Sequence, residues 1–132
     1  MANKEQLERG LHIAVSDTVR ITPKSIDPSI KNYHWLDLVK GLFDACDRGA
    51  ELALIVDTND NIAEGPGFNV FTVKDGRLRT PAYGVLPGIT RQTESTFATS
   101  SPSPLVSVMS RVGNSRRQTR SLSPLLLAGS CP

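Results

Sequence analysis

The stretch EGPGFNVFTVKDGRLRT (64–80) decides the fold class. Its run FNVFTV (68–73) is typical of a β-strand, and Asp75-Gly76 separates it from a second strand-like run, RLRT (77–80). Asp-Gly between two such runs is a strong signal for a two-residue hairpin. The stretch therefore predicts two antiparallel strands joined by a tight turn.

Two glycines precede the hairpin, within EGPGFN (64–69). A dinucleotide-binding loop would need a third glycine and would open a helix, whereas this segment leads into a strand. Gly65 and Gly67 instead predict a tight turn with backbone angles that other residues avoid. Glu64 lies in a largely apolar region, so we expect it to be partly buried and to need a partner for its carboxylate.

The segments before this stretch carry strand and helix patterns in turn. HIAVSDTVRIT (12–22) alternates like a strand with a break near Asp17, which predicts a bulge. Over Trp35–Arg48 the apolar residues fall at positions 35, 36, 39, 42, 43 and 46, which is helical spacing with one apolar face, and Gly49 supplies a stop signal. LALIV (52–56) is a continuous apolar run, typical of a buried strand. These patterns predict an α+β fold with mostly antiparallel strands.

LPGITR (86–91) follows a Gly/Pro-rich loop and begins a second predicted helix at Ile89 or Thr90. Gly88 permits a ligand to approach the backbone closely. The first amides of the helix, at Ile89 and Thr90, would form an anion site. An ordinary helix cap by Thr90 explains the same residues without a ligand.

Lys31 stands just before an aromatic run. A lysine nucleophile must be partly desolvated so that its amine is neutral near pH 7, and Ile30, Tyr33 and Trp35 are side chains that can supply such a setting. A surface lysine is the ordinary alternative. With Glu64 and the LPGITR helix start, Lys31 completes the groups that pyridoxal phosphate needs: an amine for the aldehyde, an acid for the ring nitrogen and an anion site for the phosphate.

The segments IKN (30–32), EGPGFNVFTVKDG (64–76) and LPGITR (86–91), in this order and spacing, resemble the class IV pyridoxal-phosphate aminotransferases of fold type IV. The resemblance covers His12–Thr93, belongs to the branched-chain and D-amino-acid type, and is greatest to the branch with (R)-selective amine transaminases. It implies part of the large domain of a D-amino-acid-aminotransferase-like α+β fold.

The resemblance also implies the roles of five residues. Lys31 matches the lysine that forms the Schiff base with pyridoxal 5'-phosphate and then moves a proton as general base and acid. Glu64 matches the acid that pairs with the pyridine nitrogen. Gly88, Ile89 and Thr90 match the phosphate-binding loop. No metal site is expected.

The partners implied by the resemblance are an amino donor and a keto acid. A branched-chain amino acid, a D-amino acid or an (R)-amine remain open as donors, and the lyase that makes aminobenzoate shares the fold. Family members are typically homodimers. They also have a smaller N-terminal domain and further elements after the LPGITR helix that this sequence does not match, so we expect the isolated polypeptide to be poorly stable and inactive.

The chain divides into three parts by composition. Residues 1–11 form a polar N-terminal segment, 12–93 the partial aminotransferase domain, and 94–132 a Ser/Pro/Arg-rich tail with 10 Ser, 4 Pro, 4 Arg and a single acid, Glu94. Because the tail has no sustained apolar period, we expect it to be disordered. The abrupt change in composition after Thr93 is also what a reading-frame or splice artefact would produce.

Composition narrows the function classes. A net charge of +2 gives no strong attraction to nucleic acid or membrane, and no secretory signal or apolar run of spanning length is found, so a cytoplasmic location is expected. Two Cys and two His argue against a metal site or disulfide framework. The alternative function is a non-catalytic interaction protein that uses the half-domain and the basic segment RVGNSRRQTR (111–120).

Overall fold

The computed structural model describes residues 4–74, 77–93, 105–107 and 125–129. Within these ranges the strands form a two-stranded sheet, β1-β2, and a four-stranded sheet in the order β5-β4-β3-β6. In chain order the elements are α1 (Lys4–Arg9), β1 (Ile13–Val19), α2 (Leu36–Asp47), β2 (Leu52–Val56), β3 (Phe68–Lys74), β4 (Arg77–Thr80), β5 (Leu105–Ser107) and β6 (Leu125–Gly129). None of the helices in the described ranges is long and apolar enough to cross a membrane.

The first sheet is a parallel pair connected through a helix. Strand β1 pairs with β2 from Ile13 opposite Leu52 onward, and the register shifts between Val15 and Val19, which confirms the predicted bulge. The expectation of mostly antiparallel strands is wrong for this pair. The physical reason is that α2 lies between the two strands in sequence, and such a crossover is long enough to return the chain in the same direction.

Helix α2 has the predicted position, but its buried face is not the face with the large apolar residues. Leu38, Gly41 and Ala45 are buried, whereas Leu36 is 81% exposed and Phe43 is 66% exposed. Beside Leu38, the buried face carries the small residues Gly41 and Ala45, because the helix lies very close to the sheet. A Cβ at Gly41 would lie 2.5 Å from Cγ2 of Ile55 in β2.

The end of α2 follows the sequence signal. The amide of Gly49 donates to the carbonyl of Cys46, and Gly49 has a φ of +74°, a left-handed backbone that glycine adopts without steric cost. The chain then enters β2, in which Ala53, Leu54, Ile55 and Val56 are all buried. The predicted helix stop and the predicted buried strand are thus both confirmed.

The predicted hairpin is also present. Strands β3 and β4 are antiparallel, and the pairing of Lys74 with Arg77 leaves a two-residue connection, as the Asp-Gly signal predicts. Phe71 and Val70 of β3 are buried in the core.

Two segments of the tail form strands. Residues 125–129 pair with β3 in antiparallel register, and residues 105–107 pair with β4 in parallel register. At these positions the structure differs from the expected disorder, because the apolar run Leu125–Leu127 supplies a strand that the free edge of β3 can pair with. The remainder of 94–132 lies outside the described residues.

Candidate functional site

Glu64 is held in place by backbone pairing with β2. After β2 the chain turns at Asp57–Asn61, where the amide of Asp57 donates to the carbonyl of Asn61 and Asp60 has a φ of 62°. The returning segment then pairs with Ile55, which receives a hydrogen bond from Ala63 and donates one to the carbonyl of Glu64. The position of the Glu64 backbone is therefore fixed by the core of the first sheet.

The turn after Glu64 requires its glycines. The amide of Gly65 donates to the carbonyl of Phe68, and a Cβ at Gly65 would collide with the Phe68 ring. Gly67 has a φ of +83°. The prediction of a tight turn that uses both glycines is confirmed.

The Glu64 carboxylate is 6% exposed and is bound on both oxygens. Nε of Arg20 donates to Oε1 at 3.1 Å, and the backbone amide of Leu86 donates to Oε2 at 3.1 Å. Burial raises the pKa of Glu64, and the Leu86 amide and Arg20 oppose that rise because they stabilise the ionised form. The expectation that this acid is buried and partnered is confirmed.

Arg20 and Asp37 were not singled out in the sequence. Arg20 follows β1 and is 7% exposed; its NH1 donates to Oδ2 of Asp37 at 2.7 Å, and the same oxygen accepts the amide of Ile21. Asp37 lies in the first turn of α2, and its Oδ1 accepts the amide of Leu38. An acid in a predicted first helical turn was visible in the sequence, but its pairing with an arginine 17 residues earlier was not.

The LPGITR segment begins a helix where the sequence predicts it. Residues 89–93 are helical, and the carbonyl of Gly88 accepts the amide of Gln92 at 3.0 Å, so Gly88 is the cap. The amides of Ile89 and Thr90 lie in the first turn, where the helix itself offers no acceptor. Ile89 is exposed and Thr90 is partly buried. The Thr90 hydroxyl makes no hydrogen bond with another described residue, so the helix-cap explanation of Thr90 finds no support.

The buried position of Gly88 depends on Asn69 of β3. Nδ2 of Asn69 donates to the carbonyl of Leu86 at 2.9 Å, and a Cβ at Gly88 would lie 2.5 Å from Oδ1 of Asn69. Leu86 thus binds Glu64 through its amide and Asn69 through its carbonyl. Leu86 therefore brings Glu64 and the Gly88 loop together.

Lys31 lies on the exposed loop before α2 and makes no hydrogen bond or ion pair with another described residue. Ile30 is 63% exposed and Tyr33 fully so; they therefore do not desolvate Lys31 here. The loop is ordered by Asn32, whose side chain binds the carbonyl of Ile30 and accepts the amide of His34.

Trp35 connects the Lys31 loop to the turn after Glu64. Its Nε1 donates to the carbonyl of Asn32, and its ring lies 3.7 Å from the position that a Cβ at Gly67 would take. The loop therefore approaches the Glu64 turn, but the structure shows no direct contact of Lys31 with Glu64 or Gly88.

Two cavities border the Arg20–Asp37 pair. One, of about 270 Å³, is lined by Arg20, Thr22, Asp57 and Tyr83, among others. The second, of about 400 Å³, is lined by Thr18, His34, Asp37 and Lys40, among others. Lys31 lines neither of them.

Comparison with known proteins gives a consistent result. The family model described as amino-transferase class IV matches residues 1–102. A branched-chain-amino-acid aminotransferase of Escherichia coli (strain K12) is 40% identical over 92 residues, which are 66% of this chain and 29% of the relative. The chain therefore spans less than a third of the length of that relative.

Solved structures agree with the sequence comparison. The branched-chain amino acid aminotransferase from Thermobaculum terrenum, in its PLP form, matches with a TM-score of 0.79 and 28% identity, over 94% of this chain and 41% of the other. The branched-chain aminotransferase from Thermoproteus uzoniensis, solved with norvaline, matches with a TM-score of 0.73 and 28% identity, over 78% and 36%.

Proposed function

Because the chain belongs to the class IV aminotransferase family, we propose that it serves pyridoxal-phosphate-dependent transamination between an amino donor and a keto acid. The observation that carries the proposal is the buried carboxylate of Glu64, bound by Arg20 and tied through Leu86 to the Gly88 loop. In the proposed site, the Glu64 carboxylate would supply the negative charge that the cofactor ring needs. The amides that follow Gly88, on the neighbouring segment, would bind the cofactor phosphate.

The residues present fit this cofactor. Each oxygen of Glu64 receives one hydrogen bond and retains a lone pair for a further donor. Gly88 has no side chain, and the adjoining amides of Ile89 and Thr90 lie in the first turn of a helix, the kind of position at which proteins bind phosphate. When bound, pyridoxal phosphate supplies an electron sink that stabilises a carbanion at the substrate.

The chain's own residues have distinct tasks in the proposal. Glu64 holds the ring nitrogen protonated, because an ionised acid in a buried setting strongly favours a cation beside it. Gly88, Ile89 and Thr90 bind the phosphate. Lys31 binds the cofactor aldehyde and moves a proton as base and acid, for which its amine must be less solvated than on the exposed loop seen here.

The donor we favour is a branched-chain amino acid. The Escherichia coli, Thermobaculum terrenum and Thermoproteus uzoniensis relatives all carry that description. The chain spans only part of each relative, so the donor, the keto acid acceptor and a homodimeric, cytoplasmic enzyme belong to the proposal. The alternative interaction function depends on residues 111–120, which lie outside the described residues, and it stays a prediction.

The proposal is tested by adding pyridoxal phosphate to the purified chain and recording the visible absorbance of the lysine-bound cofactor. Lys31→Ala should abolish the band, whereas Lys24→Ala, which removes another exposed lysine of the same loop region, should leave it unchanged. A band that persists in Lys31→Ala would refute the role of Lys31. The complete absence of cofactor binding by the unaltered chain would refute the proposed function for this polypeptide.

A further inference from the structure

Arg20 occupies an unusual position for an arginine. Its side chain is 8% exposed and is bound at two different nitrogens by two carboxylates, Nε by Glu64 and NH1 by Asp37. Arginine is seldom buried unless paired, and here one guanidinium connects the end of β1 with the start of α2 and with Glu64 in the segment that pairs with β2. This arrangement needs a reason beyond packing.

We propose that Arg20 is a positioning residue for the proposed transamination: braced by Asp37, it fixes the orientation of the Glu64 carboxylate toward the cofactor ring. The inference rests on the proposed function. It adds a residue that does not itself touch the cofactor.

The geometry leaves Arg20 little freedom. Its backbone amide donates to the carbonyl of Val56 at 2.7 Å, so the root of the side chain is fixed to β2. Asp37 is itself fixed, because it accepts the amides of Ile21 and Leu38 in addition to Arg20. A planar guanidinium held at one end presents its Nε in one direction only, and that direction is Oε1 of Glu64.

The second oxygen of Glu64 completes the orientation. Oε2 accepts the amide of Leu86, so the carboxylate is held at two points by donors on separate segments. Rotation of the carboxylate would break both bonds and leave Arg20 partly unpaired in a buried site, which is costly. The remaining lone pairs therefore have a defined direction.

Three charged groups act on Glu64 from the elements around it. Arg20, at the end of β1, favours the ionised form, and Asp37, in α2, disfavours it. Arg91, in the helical residues 89–93, is attracted by Glu64 and binds the carbonyl of Pro81 through NH2. Arg20 donates a hydrogen bond to Glu64 through Nε, so its substitution should change the titration of Glu64 directly.

The test uses the full 132-residue chain and needs no activity measurement. The titration of Glu64 is followed by carbon NMR without cofactor, with Glu64→Gln to assign the signal. Affinity for pyridoxal phosphate is then measured by absorbance, and ring protonation by nitrogen NMR of the labelled cofactor. The variants are Arg20→Met and Arg20→Lys, and the control is Arg9→Met, which removes an exposed arginine paired with Glu51.

Arg20→Met should raise the pKa of Glu64 and reduce protonation of the cofactor ring. It should also weaken cofactor binding about tenfold, the effect expected for the loss of a hydrogen bond to a charged group. Arg20→Lys should restore these properties only in part, because an ammonium cannot hold both carboxylates in the fork geometry. Arg9→Met should behave as the unaltered chain.

Two results would overturn the inference. One is a folded Arg20→Met variant in which Glu64 titrates as in the unaltered chain. The other is an Arg20→Lys variant in which the pKa of Glu64, cofactor affinity and ring protonation equal those of the unaltered chain. That result would show that a positive charge alone is sufficient, and it can be read even if Arg20→Met does not fold. If the unaltered chain binds no cofactor, the proposed function fails, while the titration without cofactor still decides whether Arg20 governs Glu64.

Discussion

Replacing Leu38 of α2 by alanine should destabilise the protein, whereas the same replacement at Leu36, two residues earlier, should have little effect. Leu38 is 4% exposed, whereas Leu36 is 81% exposed. Both lie in the first turn of the same helix, and both changes remove the same three carbons. Leu38→Ala and Leu36→Ala are therefore a matched pair that tests which face of α2 lies in the core.

The magnitudes follow from the burial of the two side chains. Three buried carbons contribute about 2.4 kcal/mol at ~0.8 kcal/mol each, and the cavity left at a packed site adds to this, so Leu38→Ala should cost about 2.5–4 kcal/mol. At Leu36 only a small part of that area is buried, so the same change should cost about 0.5 kcal/mol or less. The change in helix propensity is common to both variants.

The assay is urea unfolding followed by circular dichroism. With a slope of about 1–3 kcal/mol/M, Leu38→Ala should lower the midpoint by roughly 1–4 M or leave the protein unfolded without urea, while Leu36→Ala should shift the midpoint little. If Leu36→Ala costs as much as Leu38→Ala, the large apolar face of α2 is in the core after all. Asp37, one residue from each, would then not be placed to brace Arg20.

Three further outcomes are expected. Gly41→Ala should destabilise by about 1–2 kcal/mol in the same assay, although alanine is the better helix former, because its Cβ would lie 2.5 Å from Cγ2 of Ile55; a gain in stability would show that the helix can move away. Gly88→Ala should weaken pyridoxal-phosphate binding, since its Cβ would lie 2.5 Å from Oδ1 of Asn69, and Asn69→Ala in the same chain should relieve the clash; unchanged affinity in Gly88→Ala would contradict this. Because the pKa of Glu64 is raised above its usual 4.5, the folded state binds a proton more tightly than the unfolded state, so this group's contribution to stability should fall as pH rises from about 4.5 through the folded pKa. In Glu64→Gln this fall in stability should be absent. An equal fall in both proteins would show that other groups cause it.

Local signals in the sequence located the elements well. The Asp-Gly pair gave the hairpin, because a two-residue connection leaves few alternatives for the strands on either side. Gly49 gave the end of α2, since its left-handed backbone is costly for other residues. Gly88 and the residues after it gave the start of the last helix. In each case the energy that decides the structure comes from residues close in sequence.

Features that depend on distant pairing were not predictable in the same way. The parallel direction of β1 and β2 follows from the way α2 crosses between them, and the choice of its buried face depends on the small residues Gly41 and Ala45 meeting the sheet. Large apolar residues dominate any helical periodicity, so the pattern indicated the wrong face. Strands β5 and β6 pair with edges of the hairpin, and nothing local in their sequence indicates those partners.

The same distinction between local signals and distant contacts applies to the candidate site. Glu64 was identified by its chemistry, but its ionisation depends on Arg20, 44 residues earlier, and on Leu86, 22 residues later. Asp37, Arg20, Glu64 and Leu86 form a continuous path of hydrogen bonds, so the acid is fixed by long-range contacts within a buried region. The loop with Lys31 is ordered mainly by its own residues and approaches this path through Trp35. Repositioning that loop need not break any bond to Glu64. The acid and the amine of the proposed reaction are thus set by separate parts of the fold. Substitution of Arg20 should therefore change ring protonation and cofactor affinity without removing the covalent attachment, which substitution of Lys31 should abolish.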